Sequence, residues 1–175
     1  MTEVKFKRKN DEYKAYIIEH IKLVKVAFTL LESDFRLILG DTLFYILQYN
    51  IEEHDKSKFS TEEFESYIQW FYPNPGEKTN KEMFDKAWEH HYKVNDHHPE
   101  HWVKNGIAYP MSALARAEMF CDWLAMSIKF NTVPSDWYWK HEKNEPFNFN
   151  SDTRKLVENF LPILDAAYDT YKMNT

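Results

Sequence analysis

Glycine is nearly missing from this chain, with 3 in 175 residues. Few positions can therefore adopt the positive-φ turns that glycine favours, and long helices joined by short breaks are what such a chain builds most readily. The apolar pattern agrees. From about Asp11 to Glu32, Tyr13, Tyr16, Ile17, Val24, Phe28 and Leu31 recur at helical spacing. His20 falls inside that stripe, three residues after Ile17 and four before Val24, so it faces the core or a pocket at its edge.

The remaining helices follow from caps and breaks. Ser33 or Asp34 is suited to cap a second helix carrying Phe35, Leu37, Ile38, Leu39, Leu43, Phe44, Ile46 and Leu47, with Gly40 as a break or a close contact and an end near Glu53. Ser60 to Glu63 reads as a capping box, with Ser60 as cap and Glu63 reaching back, ahead of a helix to about Tyr72. Thr79 to Glu82 opens a fourth helix through Trp88 and His91 toward Val94. Pro99 breaks the chain, and a loop or short irregular helix is expected up to Pro110. Ser112 opens a long helix to about Phe130, on which Glu118 and Asp122 share a face at i, i+4. Residues 131–150 are aromatic and proline-punctuated and read as a short helix plus a loop. This segment either lids a pocket or covers the bundle, with covering the stronger expectation. Residues 151–173 form a last helix, capped by Asp152 and kinked at Pro162. The expectation is an all-α, single-domain bundle of about six to seven helices over residues 1–175, with residues 1–10 frayed.

Composition narrows the function. A net charge of -6 argues against binding a nucleic acid duplex, which needs a basic face. A small anion is still compatible, because a metal and a few lysines dominate the field locally. The single cysteine, Cys121, rules out an intrachain disulfide and fits a reducing compartment. The charged opening MTEVKFKRKNDEYK lacks a signal-peptide apolar run, and no stretch reaches about 18 apolar residues, so a cytoplasmic chain without membrane contact is expected. Aromatic residues make up 17% of the chain, enough to build a core and also to wall a pocket.

The chemistry gathers at His54-Asp55-Lys56-Ser57-Lys58. An adjacent imidazole and carboxylate are plausible ligands for one divalent metal. Lys56 and Lys58 beside it suit a phosphate oxyanion. Alone the pair also reads as a polar helix end. His20 lies upstream and Asp122 downstream on other helices, each on an otherwise apolar face, as ligands held between helices of a bundle must be. Five of the eight histidines lie between Ala87 and Trp102. Of these, His91, His97 and His98 are candidates for a second metal, and the alternative is a polar loop packed on Trp88 and Trp102. His90, His101 and His141 are assigned to the surface, and substitution of His141 is expected to have no effect.

The order His20, His54-Asp55, Asp122 on an all-helical chain resembles the HD-domain superfamily of metal-dependent phosphohydrolases, and His54 to Lys58 resembles its HD-x-small-K element. A second resemblance is to a small family of bacterial and phage proteins of unknown activity. It is carried by His54 to Phe59, by His91, Asn95 and His97-His98-Pro99, and by Glu118-Met119 with Asp122-Trp123. The HD resemblance implies His20, His54, Asp55 and Asp122 as ligands of a divalent ion (Mn, Fe, Co, Ni or Zn), with one ion or two bound, and Lys58 as a phosphate-facing lysine. On that footing Asp55 orients a water, Glu118 is a supporting residue or proton acceptor, and His97 or His98 is a leaving-group acid or second-metal ligand. Lys56, Lys58, Asn95 and Trp102 are candidate substrate-binding residues, with Trp102 or Trp88 available to stack on a base. The expected function is hydrolysis of a nucleotide or other small phosphate ester, by a monomer or a homo-oligomer. The alternatives are an HD-type di-iron oxygenase and a non-catalytic helical binding or structural protein.

Overall fold

Among the described residues, seven α-helices, two 3-10 turns and one minute hairpin account for the regular structure. A computed structural model describes the backbone of residues 3–175 and the side chains of residues 8–175. Helix α1 is Glu3–Leu30 and α2 is Glu32–Glu53, joined at Leu31 with no side-chain cap. A 3-10 turn spans Lys56–Phe59. Then come α3 (Phe64–Phe71), α4 (Lys81–Val94), a second 3-10 turn (Pro99–Trp102), strands β1 (Val103–Lys104) and β2 (Ile107–Ala108), α5 (Ala113–Phe130), α6 (Pro134–Asn144) and α7 (Ser151–Met173). The chain is an all-α single-domain bundle, as its helical spacing predicts. No helix among the described residues is long and apolar enough to cross a membrane.

Side-chain caps open α4, α5 and α7. The Asn80 side chain accepts from Met83 N at the start of α4, and Ser112 accepts from Ala115 N at the start of α5. Gly40 breaks the helical geometry inside α2 at φ 68 and ψ 168, a conformation that costs glycine little. Several expectations are corrected. Helix α1 already includes residues 3–10, although residues 1 and 2 lie outside the described part. Neither Ser33 nor Asp34 caps α2. Asn150, not Asp152, caps α7, whereas Pro162 lies inside that helix as expected. The segment before Pro110 contains a hairpin, pairing Val103 with Ala108 and Lys104 with Ile107. Its turn residues Asn105 and Gly106 have φ of 52 and 77, the left-handed pair that an Asn-Gly turn adopts.

Two hydrophobic cores flank the site. The larger joins α1, α2, α5 and α7 through Val24, Phe28, Phe44, Leu124 and Leu164. The smaller joins α1, α3 and α4 through Tyr13, Ile17, Tyr67, Ile68 and Ala87. Helix α1 belongs to both, and His20 lies on its buried stripe between Ile17 of one core and Val24 of the other. Helix α5 runs through the centre, with buried residues along nearly its whole length. The apolar pattern of α2 is wider than its buried face. Phe35, Phe44, Leu47 and Ile51 are inside, whereas Leu37, Ile38, Leu43 and Ile46 are exposed.

Candidate metal centre

Asp55 is the pivot of a buried polar cluster. It follows the end of α2 and has φ 56 and ψ 15, left-handed geometry that aspartate tolerates better than most residues. That turn changes the direction of the chain between α2 and the 3-10 turn, and both His54 and Asp55 are 1% exposed. The two carboxylate oxygens of Asp55 meet different neighbours. Oδ2 lies 3.2 Å from His20 Nε2 and 3.6 Å from His54 Nε2. It also accepts from the Lys58 ammonium. Oδ1 lies 3.3 Å from His91 Nε2 and 3.6 Å from His97 Nε2. His20 Nε2 is also 3.2 Å from Asp122 Oδ1 and 3.3 Å from His54 Nε2. His98 Nε2 lies 2.9 Å from His91 Nε2.

Carboxylates behind the rings set their orientation. His54 Nδ1 lies 2.9 Å and His97 Nδ1 3.2 Å from the same oxygen, Glu118 Oε1. His91 Nδ1 donates to Glu63 Oε2 at 2.8 Å, and His90 Nδ1 takes the other oxygen at 2.8 Å. With Nδ1 turned to a carboxylate, His54, His91 and His97 each aim Nε2 toward Asp55, where it would ligate a metal once free of its proton. This is the arrangement in which a carboxylate behind an imidazole fixes the tautomer of a metal ligand. Asn95 supports the same ring, donating to Ser57 Oγ and to His91 O at 2.8 Å each.

The donors fit a cation. Asp55 Oδ1 and His97 Nε2 are buried, face one another, and have no hydrogen-bond partner among the described residues. An ion about 2.0–2.2 Å from each N or O ligand needs those ligands roughly 3–3.4 Å apart. The sets Asp55, His91, His97 and His98, then His20, His54 and Asp55, and then His54, His97 and Glu118 each bring ligand atoms within 4.8 Å of one another. These buried groups could hold a metal ion.

Charge is distributed to match. Burial opposes a positive charge on His20, but hydrogen bonds to Asp122 and Asp55 raise its pKa to about 9. Burial likewise opposes charge on His91 and His97, yet Asp55 and Glu63 raise the first and Glu118 and Asp55 the second. His98 goes the other way: burial, then the neighbouring His97 and His91, push it well below 6.5. Burial would raise the carboxyls, but Lys58 and the imidazoles hold Asp55 well below the usual range, and His20 does the same for Asp122. His54 and His97 bring Glu118 down to about 2 against the same burial. Burial works against Lys58, whose pKa the Asp55 and Asp122 charges nonetheless raise.

The structure brings His20, His54, Asp55, Lys58, His91, His97, His98, Glu118 and Asp122 together, with Asn95 behind them. It does not bring Lys56 or Trp102. Lys56 pairs with Glu53 at 2.6 Å on the surface, because the 3-10 turn points Lys58 inward and Lys56 out. The Trp102 indole donates to Asp96 O at 2.7 Å and packs on the larger core. Glu63 is the residue that sequence reasoning missed. It is 0% exposed and turned to the histidines instead of back to Ser60. His90, assigned to the surface, shares it.

Two aromatic clefts meet at the cluster. One, of roughly 490 Å³, is walled by Tyr13, Tyr16, Tyr67, Tyr72 and Phe84 and reaches Lys58. The other, of roughly 450 Å³, has Asp122 and His98 on one side and Trp123, Trp137, Phe147 and His141 on the other. Trp88 and Phe130 border both. Residues 131–150 therefore both cover the larger core and wall a cleft, and His141 is a cleft residue, contrary to its surface assignment.

Fold and site together define an all-helical protein with a buried imidazole–carboxylate cluster of metal-binding composition. The chain belongs to a family of unknown function, DUF5662, whose model matches residues 9–163. No curated protein and no solved structure matches it.

Proposed function

We propose that this chain is a metal-dependent phosphohydrolase of the HD-domain type, acting on a nucleotide or other small phosphate ester. The observation that carries the reading is the division of Asp55 between two donor sets, Oδ2 with His20 and His54 and Oδ1 with His91 and His97, with the Lys58 ammonium at its edge. His20, His54, Asp55 and Asp122 would hold one ion. Asp55, His91, His97 and His98 would hold a second. A divalent transition metal there supplies Lewis acidity and a water of lowered pKa. Lys58, which among the described residues is the lysine that meets Asp55, binds a phosphoryl oxygen and offsets charge that grows on it during transfer to water. Glu118 and Glu63 keep three imidazoles in register. His98 serves as a ligand and not as the leaving-group acid, since its neutral form dominates near pH 7. A cytoplasmic setting and a small phosphorylated partner belong to the same proposal.

The test is elemental analysis of the purified protein, followed by phosphate release from a panel of phosphorylated metabolites with Mn²⁺, Fe²⁺, Co²⁺, Ni²⁺ or Zn²⁺. Metal-dependent release that Asp55→Ala abolishes is expected. Release that Asp55→Ala leaves intact, or none with any metal, sinks the reading. The sharing of one carboxylate between imidazole-rich donor sets also suits a di-iron oxygenase. Iron in the protein with O₂ uptake and no phosphate release selects that reading instead.

A further inference from the structure

The cleft between α5, α6 and the Pro99–Trp102 turn has a composition that the metal cluster does not explain. Its walls are flat: Trp123 and Phe147 stack at 5.2 Å, and the Trp123 and Trp137 rings meet edge to face at 5.1 Å. His141 stands among them, its ring stacked on Phe147 at 4.1 Å and 5.6 Å from Trp137. Its Nδ1 is buried and has no hydrogen-bond partner among the described residues, so stacking and not hydrogen bonding holds the ring. Glu100 sits at the rim of the same cleft, and Asp122 and His98 of the cluster border it. The tyrosine cleft differs. Tyr13 is 2% exposed, and the Tyr67 hydroxyl donates to Ala87 O at 3.4 Å, leaving mostly ring faces and Lys58.

Flat aromatic walls select flat ligands, because stacking rewards any ring with a π-face. A polar edge among such walls selects rings that carry donors and acceptors, as a saturated or purely hydrocarbon group would leave that edge desolvated and unpaired. We propose that this cleft binds a planar nitrogen heterocycle, of the kind found in nucleobases, with His141 as its specificity-determining residue. The ring stacks against the aromatic wall, its heteroatom edge meets the His141 imidazole at Nε2, and the attached phosphate reaches the cluster past Asp122 and His98. The inference deepens the phosphohydrolase reading by naming the class of its substrate, and it rests on that reading only for the phosphate end.

The experiment uses the full chain loaded with Mn²⁺ and reads binding without turnover. Adenosine, guanosine, cytidine and uridine 5′-monophosphates are compared with glycerol 3-phosphate by calorimetry and by quenching of tryptophan fluorescence. At least one nucleotide is expected to bind about tenfold or more tighter than glycerol 3-phosphate and to quench the tryptophans. His141→Ala removes that preference while leaving glycerol 3-phosphate binding unchanged, and His141→Gln, which keeps a donor and an acceptor, retains part of it. Trp137→Leu, a change of wall and not of edge, lowers the preference for all four nucleotides and tests the cleft if His141→Ala fails to fold. Equal binding of nucleotides and glycerol 3-phosphate, or a preference that survives both His141→Ala and Trp137→Leu, overturns the inference. Nucleotide preference without phosphate release under any metal leaves it standing and removes the hydrolase reading alone.

Discussion

Glu118 Oε1 lies 2.9 Å from His54 Nδ1, and this contact decides which nitrogen of that ring meets Asp55. The same oxygen holds His97, so one carboxylate on α5 orients imidazoles from two different parts of the chain. Glu118→Ala is expected to weaken metal binding about 10–100-fold, read by titration against a chelator of known affinity. It also leaves two buried Nδ1–H groups unpaired, at a cost of about 1–3 kcal/mol each in chemical denaturation of the metal-free protein. A loss of stability with unchanged metal affinity would show that Glu118 is only a packing partner.

Substitutions at the two aspartates separate the donor sets. Asp55 faces both, so Asp55→Ala should remove all bound metal. Asp122 meets His20 at 3.2 Å and borders only one set, so Asp122→Ala should lower metal content without emptying the His91, His97 and His98 side. Metal-to-protein ratios of the purified variants, with far-UV circular dichroism to check the fold, decide this. Full occupancy in Asp122→Ala refutes its role.

Acid and metal compete for the same nitrogens. His20 is raised to about 9, so near neutral pH its ring carries a proton that a metal must displace, and His91 and His97 are raised in the same direction by their carboxylate neighbours. Metal binding should release protons, seen as a calorimetric heat that changes with the ionisation enthalpy of the buffer, and affinity should climb as pH rises toward about 9. The metal-free protein should behave oppositely. A raised folded-state pKa adds stability that is complete below 6.5 and is lost as pH climbs through about 9. Melting curves at both ends of that window, with and without Mn²⁺, should therefore cross.

The lysines give a pair with opposite outcomes. Lys58 meets the buried Asp55 carboxylate, and Lys58→Ala is expected to lower phosphate release about 100-fold or more with metal still bound. Lys56 is 53% exposed and pairs with Glu53, so Lys56→Ala should change neither turnover nor stability beyond about 0.5 kcal/mol. Equal losses in the two variants would point to net charge and not to position.

Much of the site is visible in local pattern. His20 interrupts an apolar stripe at the right phase, and Glu118 and Asp122 share a face of α5 because they are one helical turn apart. Those inferences need only the period of a helix. Glu63 resisted the same logic. Ser60 to Glu63 satisfies the capping-box pattern, but packing of the α3 start against α4 offered the carboxylate two imidazoles, and those contacts outcompeted a single backbone N–H. The lysines resisted for another reason. Phase is lost where α2 ends, and the left-handed Asp55 resets it, so the inward lysine could not be counted from the helix before it. The Asn105-Gly106 hairpin falls where a loop or irregular helix is expected, although that dipeptide is a turn signal in its own right, because its two-residue strands are too short to show a period.

From its own residues the chain determines that it is helical, where most helices begin and end, and that histidines and aspartates fall on buried faces. Period, caps and breaks act over a few residues, and they suffice for that. Which imidazole meets which carboxylate was decided by tertiary packing. Glu63 reaches His91 across 28 positions and Glu118 reaches His54 across 64, distances that no local pattern spans. The same holds for His141, a surface residue by sequence that the docking of α6 against α5 made into the edge of a cleft.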